Sequence, residues 1–457
     1  MKYVMCLLIG ICTFVSCIDD ESKLGDNAVS TLSFETSLND LYTCEHDSQL
    51  KLTIPEVKQE NQQKELSYEW QINYKVVATK KDLNYKCTEY GEFPCRLKIS
   101  NEDGAIFKTF TLKVPYPYEE GVMILSRYDG RSMVSFRSVN EGSSFVKDVY
   151  RLHNQSVDLG REPKGIAFNA NFGYIYIASE DPLKIVKLEH NTMEALSVLA
   201  YPETRVERIF KGGDFAVYFS GGGRVLEFDC GNEYFENTIQ QYLTGNTSIQ
   251  GKYPNAYLDN SMIFYVSARQ PYYTYVFDNN SKTLLQCAES GNIKEICEEE
   301  AGGKSLVNMS MSKYRYALFV MKDELGNLNL IDYNAYNGRV ESNVPANSSG
   351  ITDKSAFMAS DAESILYYTD GENNIYRYNY VSKGNFPNYP SYTVGIDGDV
   401  INEMVLGAGE KLLYVAVTAK EGDYRGCVYC YDTETQELVW SERGIAGEII
   451  QMIYKEK

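Results

Sequence analysis

From about residue 31 to the C-terminus, short stretches alternate apolar and polar residues and are cut off by Gly, Asn, Asp or Pro. Alternation at period two sends successive side chains to opposite faces of a pleated strand, so the pattern predicts strands throughout. Between residues 31 and 114 the strands expected are Leu50-Lys51-Leu52-Thr53-Ile54, Leu66 to Ile72, Cys95-Arg96-Leu97-Lys98-Ile99 and Phe107 to Val114. Their spacing, with turns between, favours a sandwich.

Beyond residue 115 the pattern repeats. Tyr174 to Ser179, Phe215 to Ser220, Met262 to Ser267 and Ser364 to Thr369 read as the same strand, each ending in a hydroxyl, the second strand of its unit. A following strand closes on an acid or amide before a polar turn, as in Leu188-Glu189, Phe228-Asp229, Phe277-Asp278, Ile331-Asp332, Tyr378-Asn379 and Tyr431-Asp432. Asp and Asn bond their own backbone in such turns, which gives the choice a local cause. First strands are expected near Ile166, Ile209, Ala256, Val307, Phe357 and Met404. A seventh unit is split. Val122 to Ser126 and Met133 to Phe136 lack a first strand, and Glu448 to Ile453 at the C-terminus lacks the rest. Pairing the two ends would remove exposed sheet edges, and it gives a seven-bladed β-propeller over 115–457 with about 49 residues per blade, slightly above compact WD-type repeats.

The first residues set an address. Met1 and Lys2 precede an apolar run from Val4 to Val15, too short for a spanning helix but suited to an export signal. Phe14-Val15-Ser16-Cys17 resembles a lipobox, which implies cleavage before Cys17 and acylation of its thiol, with Phe14 in place of the usual Leu. Asp19-Asp20-Glu21 is similar to the surface-export signal of Bacteroidetes lipoproteins. The expected organisation is a signal peptide over 1–16, lipidated Cys17 and a tether over 17–30, a β-sandwich over 31–114 and the propeller. Tyr68-Glu69-Trp70, Gly91-Glu92-Phe93 leading into Cys95 to Ile99, and Phe107 to Val114 resemble a PKD-like, immunoglobulin-type domain. The family's usual Gly-Asp-Gly after Trp is replaced by Gln71-Ile72-Asn73-Tyr74, so the resemblance is to the divergent PKD-like lipoproteins of Bacteroidetes. It implies an outer-membrane, surface-exposed lipoprotein beside SusC/SusD-type uptake systems for polysaccharide use.

Composition narrows the partners. A net charge of −19 argues against nucleic acid, whose binding needs phosphate neutralisation by Lys and Arg. The 38 Tyr and 19 Phe against 2 Trp suit half-buried strands and reinforce an all-β reading. Of the 11 Cys, Cys87 with Cys95 and Cys287 with Cys297 are candidate local bridges in an exported chain. Cys427 and Cys430 have CxxC spacing, but in a strand positions three apart face opposite ways, which disfavours a metal or redox role.

Chemistry is sparse. With His46, His153 and His190 the only histidines, no close metal-ligating pair or evident triad exists, and no metal, cofactor or catalytic residue is assigned. Gly302-Gly303-Lys304-Ser305 mimics the end of a phosphate loop, but Glu298 stands where the leading Gly belongs. Aligned on the repeated second strand, Lys164, Arg205, Lys252 and Lys354 share one position just before a first strand, with Lys304 nearby. They should ring one mouth of the central channel, either focusing anions there or bracing against acids of neighbouring blades. Tyr272 and Tyr273 are expected in the loop after a second strand, opening on the same face and offering flat area to a sugar or peptide. The leading expectation is a non-catalytic binding protein for a glycan, peptide or partner protein. A hydrolase or lyase using propeller carboxylates, or a docking scaffold for envelope proteins, are the alternatives.

Overall fold

The computed structural model describes residues 29–181, 183–199, 208–211, 216–221, 224–230, 234–236, 262–266, 273–278, 281–288, 293–312, 316–360 and 362–457. Cys17, Arg205, Lys252 and Tyr272 therefore lie outside the described residues. The chain divides into two compact units, Met1–Tyr116 and Pro117–Lys457.

In the first unit a five-stranded sheet runs in the order Leu41–Thr43, Ala105–Val114, Gly91–Ser100, Ser67–Ile72, Lys75–Ala78, and two further strand pairs join it. Leu41–Thr43 pairs parallel to Ala105–Val114. The pair Gln49–Leu52 with Leu83–Lys86 shares one core with that sheet, since Leu50, Leu52 and Leu83 pack with Trp70, Leu97 and Leu112. Trp70 is fully buried, and its indole N–H is shared between the carbonyls of Lys80 and Lys81 at 3.2 and 3.3 Å, so burial leaves no donor orphaned.

The second unit is a succession of antiparallel four-stranded sheets. In chain order, sheets of four begin with the first strands Arg208–Lys211, Met262–Val266, Ser305–Met311, Phe357–Ala359 and Val400–Leu406. A further set of four, Arg161–Asn169 to Ala195–Leu199, is joined through the single pair Arg131↔Arg161 to a three-stranded set made of Arg131–Ser138, Gly121–Tyr128 and Glu448–Lys455. The expected pairing of the two ends is present, with Ile124 opposite Met452 and Leu125 opposite Gln451. Among the described residues, first strands adjoin one another from Met262–Val266 through Ser305–Met311, Phe357–Ala359, Val400–Leu406, Glu448–Lys455 and Arg161–Asn169 to Arg208–Lys211.

Burial explains the sequence pattern. Second strands such as Tyr174–Asp181, Tyr316–Lys322 and Leu412–Thr418 are covered on both faces and read as continuous apolar runs. The outermost strand Arg339–Pro345 alternates exposed and half-buried positions, as a strand with one face in water should. Each fully buried Val, Leu, Ile or Phe contributes about 1.5–3 kcal/mol, so the second strands hold the sheets together.

Innermost strands are sheet edges, and their outward backbone groups need partners. Neighbouring first strands supply them. Gln451 Oε1 accepts the Ile166 N–H at 2.8 Å, Glu403 Oε2 accepts the Met452 N–H, and Asn308 Nδ2 donates to the Ser355 carbonyl at 2.8 Å. Each of these polar residues directly precedes a buried Met, in Gln451-Met452, Glu403-Met404 and Asn308-Met309, and each directly follows a β-bulge residue. The bulge re-aims the strand, so one side chain reaches the adjacent sheet while the next enters the core.

Two expectations need correction. Among the described residues Met262–Val266 is the first strand of its sheet, not the second, because a hydroxyl-ended apolar run carries no mark of its place in a meander, and Ala256, where a first strand is expected, lies outside the described residues. Asp332 does not initiate a turn. It lies buried inside Leu328–Asn334, and Asn334 Oδ1 takes the turn N–H groups of Tyr336 and Asn337 at 3.0 and 3.3 Å. At Glu189, Asn379 and Asp432 the expected turn bonds are present.

Candidate functional site

The hairpin joining Gly121–Tyr128 to Arg131–Ser138 turns on Asp129 and Gly130, both at positive φ (49° and 70°). Two positive φ values in a two-residue turn suit Asp-Gly and match the twist of the flanking strands. This turn forms one wall of a pocket of about 420 Å³ whose lining includes Arg127, Asp129, Glu162, Asp423, Arg425 and Glu448. Glu162 comes from the start of Arg161–Asn169, Glu448 opens the C-terminal strand, and Arg425 precedes Gly426–Asp432. Two sheets therefore meet here, the seven-stranded one that contains Gly121–Tyr128, Arg161–Asn169 and Glu448–Lys455 and the four-stranded one that contains Gly426–Asp432, at the end where chains enter first strands.

Arg127 organises the pocket. Its Nη1 donates to Glu162 Oε2 at 2.8 Å and its Nη2 to Glu448 Oε2 at 3.0 Å, while Arg425 Nη2 lies 3.5 Å from the same Glu448 oxygen. Register dictates the second contact, because Arg127 and Glu448 are direct cross-strand partners. Close approach is allowed by Gly447, where any Cβ would fall 2.2 Å from the Arg127 carbonyl oxygen. Hydrogen bonds to Glu448 and then Glu162 hold the guanidinium pKa above its ordinary value. Arg127, Glu162 and Glu448 are 36, 44 and 39% exposed, so these pairs add about 0–1 kcal/mol each to stability. Their consequence is local: an array of donors and acceptors facing solvent. The charged lining, Arg127 and Arg425 against Asp129, Glu162, Asp423 and Glu448, is acidic on balance.

Tyr128 borders the pocket and stacks on Tyr424 with centroids 4.2 Å apart and planes 5° from parallel. Lys147 Nζ sits 4.4 Å from the Tyr424 centroid. The Tyr128 phenol is shifted upward in pKa by its hydrogen bond with Tyr424.

The residues singled out from sequence are placed as follows. Lys164 is the bulged residue between Pro163 and Gly165, and its Nζ pairs with Glu180 Oε2 at 2.6 Å on the next strand of its own sheet. Lys304 likewise braces its own sheet, donating to the Glu300 carbonyl at 2.7 Å and Asn329 Oδ1 at 2.9 Å. Lys354 is exposed in the turn before Phe357–Ala359. Tyr273 opens the second strand of its sheet, half-buried against the core around Phe319. That puts it at the exit end of a first strand, opposite the end where Lys164 lies, and it corrects the expectation of a shared face. Cys427 and Cys430 enter different cores, as opposite strand faces require. His153 Nε2 meets the Tyr118 hydroxyl at 2.8 Å, and His190 Nε2 is 3.7 Å from Glu189, its chain neighbour. Sequence reading passed over the pocket, although Asp129-Gly130 between two apolar runs is a strong hairpin signal.

No protein-family model matches the chain. No curated protein matches it either. Solved structures do. A quinoprotein alcohol dehydrogenase-like protein from Bacteroides thetaiotaomicron is similar at 15% identity and TM-score 0.50, over 93% of this chain and 99% of that one. A 6-phosphogluconolactonase-like protein from Bacteroides uniformis is similar at 14% identity and TM-score 0.49, over 74% of this chain and all of the other. The first likeness shows the fold alone, an all-β, β-propeller-like architecture.

Proposed function

We propose that this protein is a non-catalytic binding lipoprotein of the cell envelope, anchored through Cys17, in which a PKD-like, immunoglobulin-type sandwich spaces a seven-bladed propeller from the membrane. The ligand favoured is a glycan, taken at the pocket around Arg127, and capture for a SusC/SusD-type uptake system at the outer surface is the setting. The observation that carries this reading is the sharing of Arg127 between Glu162 and Glu448. Planar guanidinium and carboxylate groups held in one array offer paired donors and acceptors to sugar hydroxyls, with Tyr128 at the border for ring contact. The same sharing disfavours hydrolysis, since an acid and base pair needs two carboxylates in unlike surroundings, and here both rest on one guanidinium.

The test is binding of residues 18–457 to glycan and peptide arrays at two salt concentrations. Beside it run Arg127→Ala and a variant with Lys164, Arg205, Lys252 and Lys354 changed to Ala. Salt-tolerant glycan binding lost only in Arg127→Ala supports the pocket. Salt-sensitive binding lost only in the four-fold variant moves the site to a cationic channel mouth, and no binding by the unaltered chain defeats both and points to a protein partner.

A further inference from the structure

The first unit holds three buried thiols, Cys44, Cys87 and Cys95, in one core. Cys44 follows Leu41–Thr43 and is fixed to the large sheet by its N–H, which donates to the Lys113 carbonyl at 3.0 Å. The chain then doubles back, with the Ser48 N–H donating to the Glu45 carbonyl at 3.1 Å. Cys87 is clamped on the return side of this turn. Its N–H donates to the Ser48 carbonyl at 3.0 Å, and its carbonyl accepts the Asp47 N–H at 2.7 Å. The turn thus brings Cys44 and Cys87 to neighbouring positions in one core, where Cys44 is among the groups that raise the Cys87 thiol pKa and its own Sγ lies 3.6 Å from the Glu45 carbonyl. Cys95 enters this core from Gly91–Ser100 with its Sγ 3.3 Å from the Phe93 carbonyl, and it acts on Cys87 less than Cys44 does. Among the described residues no cluster fit to hold a metal ion occurs, so a thiolate metal site is not what this grouping supplies.

We infer that Cys44 and Cys87 form a disulfide in an oxidising compartment, tying the strand Leu41–Thr43 on the large sheet to the Gln49–Leu52 and Leu83–Lys86 pair, with Cys95 left as a free thiol. The compartment rests on the export proposed above; the closeness of Cys44 and Cys87 in the core does not. The staple suits a small unit, whose limited core leaves it marginal. It displaces the local Cys87 to Cys95 bridge that spacing alone suggests.

The chemistry balances with a disulfide oxidant such as oxidised glutathione. One cysteine thiolate attacks the oxidant, forming a mixed disulfide and releasing one glutathione thiolate. The second cysteine thiolate then attacks the protein sulfur of that mixed disulfide and releases the other. The two cysteines lose two electrons and their protons, and two glutathione thiols are formed. Burial, then the neighbouring Cys44, push the Cys87 thiol pKa up, and burial raises Cys95 to about 11, so thiolate is scarce once the core is packed. The bridge is accordingly expected to form while the layers are open.

The full chain, purified under reducing conditions, is incubated with oxidised glutathione at mildly alkaline pH in dilute urea. Remaining thiols are alkylated, and the digest is mapped by mass spectrometry without reduction. The expected result is a crosslinked peptide pair containing Cys44 and Cys87 that reduction separates, with Cys95 alkylated; Cys95→Ser keeps that pair. Alkylated Cys44 and Cys87 after oxidation, or Cys87 found linked to Cys95, overturns the inference. Because the oxidant is added in vitro, either result stands whether or not the chain is exported.

Discussion

Two regions of the second unit treat buried polar groups in opposite ways. Along the C-terminal strand and the chain that leads into it, polar side chains are bonded: Gln451 takes the Ile166 N–H, Ser135 donates to the Ile445 carbonyl at 2.8 Å, Ser126 takes the Gly447 N–H at 3.1 Å, and buried Lys455 donates to the Glu119 carbonyl and the Asn191 side-chain oxygen. Near Asp332 the reverse holds. Asp332 Oδ1 and the hydroxyls of Tyr368 and Tyr378 are buried without a hydrogen-bond partner. Burial raises the Asp332 carboxyl to about 7, with Lys383 lowering it and Glu341 raising it, and burial, then the Asp332 charge, lifts the Tyr378 phenol. The difference teaches where polar groups serve the fold. A strand that returns from the far end of the chain is specified by directional bonds, whereas Asp332 lowers stability wherever it is charged.

Removing Glu448–Lys457 should break the contrast most severely. Gly121–Tyr128 would become an exposed edge, and the second unit is expected to lose its cooperative thermal transition and to aggregate, as read by calorimetry and size-exclusion chromatography. Asp332→Asn comes next, with the opposite sign. The folded Asp332 keeps a proton that the unfolded chain releases between the ordinary Asp range and about pH 7, so stability falls as pH rises through that window and stays low above it. The variant should gain on the order of 3 kcal/mol at pH 8 and little at pH 4; denaturant titrations at both values that shift alike would contradict the account. Gln451→Ala should cost about 1–3 kcal/mol by orphaning the Ile166 N–H, and amide exchange at Ile166 should quicken.

The smallest effect concerns Lys455. Burial lowers its pKa to about 8, so above that pH the unfolded chain holds the extra proton and this group contributes stability that grows with pH. Its contribution to the slope is at most roughly 1.4 kcal/mol per pH unit between pH 8 and 9.5, where buried thiols such as Cys87 and Cys430, raised by burial, contribute with the opposite sign. Lys455→Met should make the slope more negative by that amount relative to the unaltered chain, and an unchanged slope would assign the ammonium no part in this window.

Legibility of the fold in the sequence follows from how local each signal is. Val122 to Ser126 and Glu448 to Ile453 can be matched because each is an incomplete unit of a repeat. Met262–Val266 cannot be placed, because strand composition does not say where in a meander a strand lies. Asp332 reads as a turn residue because burial is not written in the dipeptide Ile331-Asp332. The pocket is harder still: Arg127 and Glu448 are 321 residues apart, and only the pairing register sets them side by side.

By itself, then, the sequence determined an all-β chain with repeating meanders and the pairing of its two ends, because period-two alternation and repeat spacing are properties of neighbouring residues. Only the tertiary structure decided which polar residues are bonded and which stranded, which lysine meets which carboxylate, and which charges converge on Arg127. Those outcomes depend on register, bulges and sheet contacts, where a shift of one residue turns every side chain to the other face.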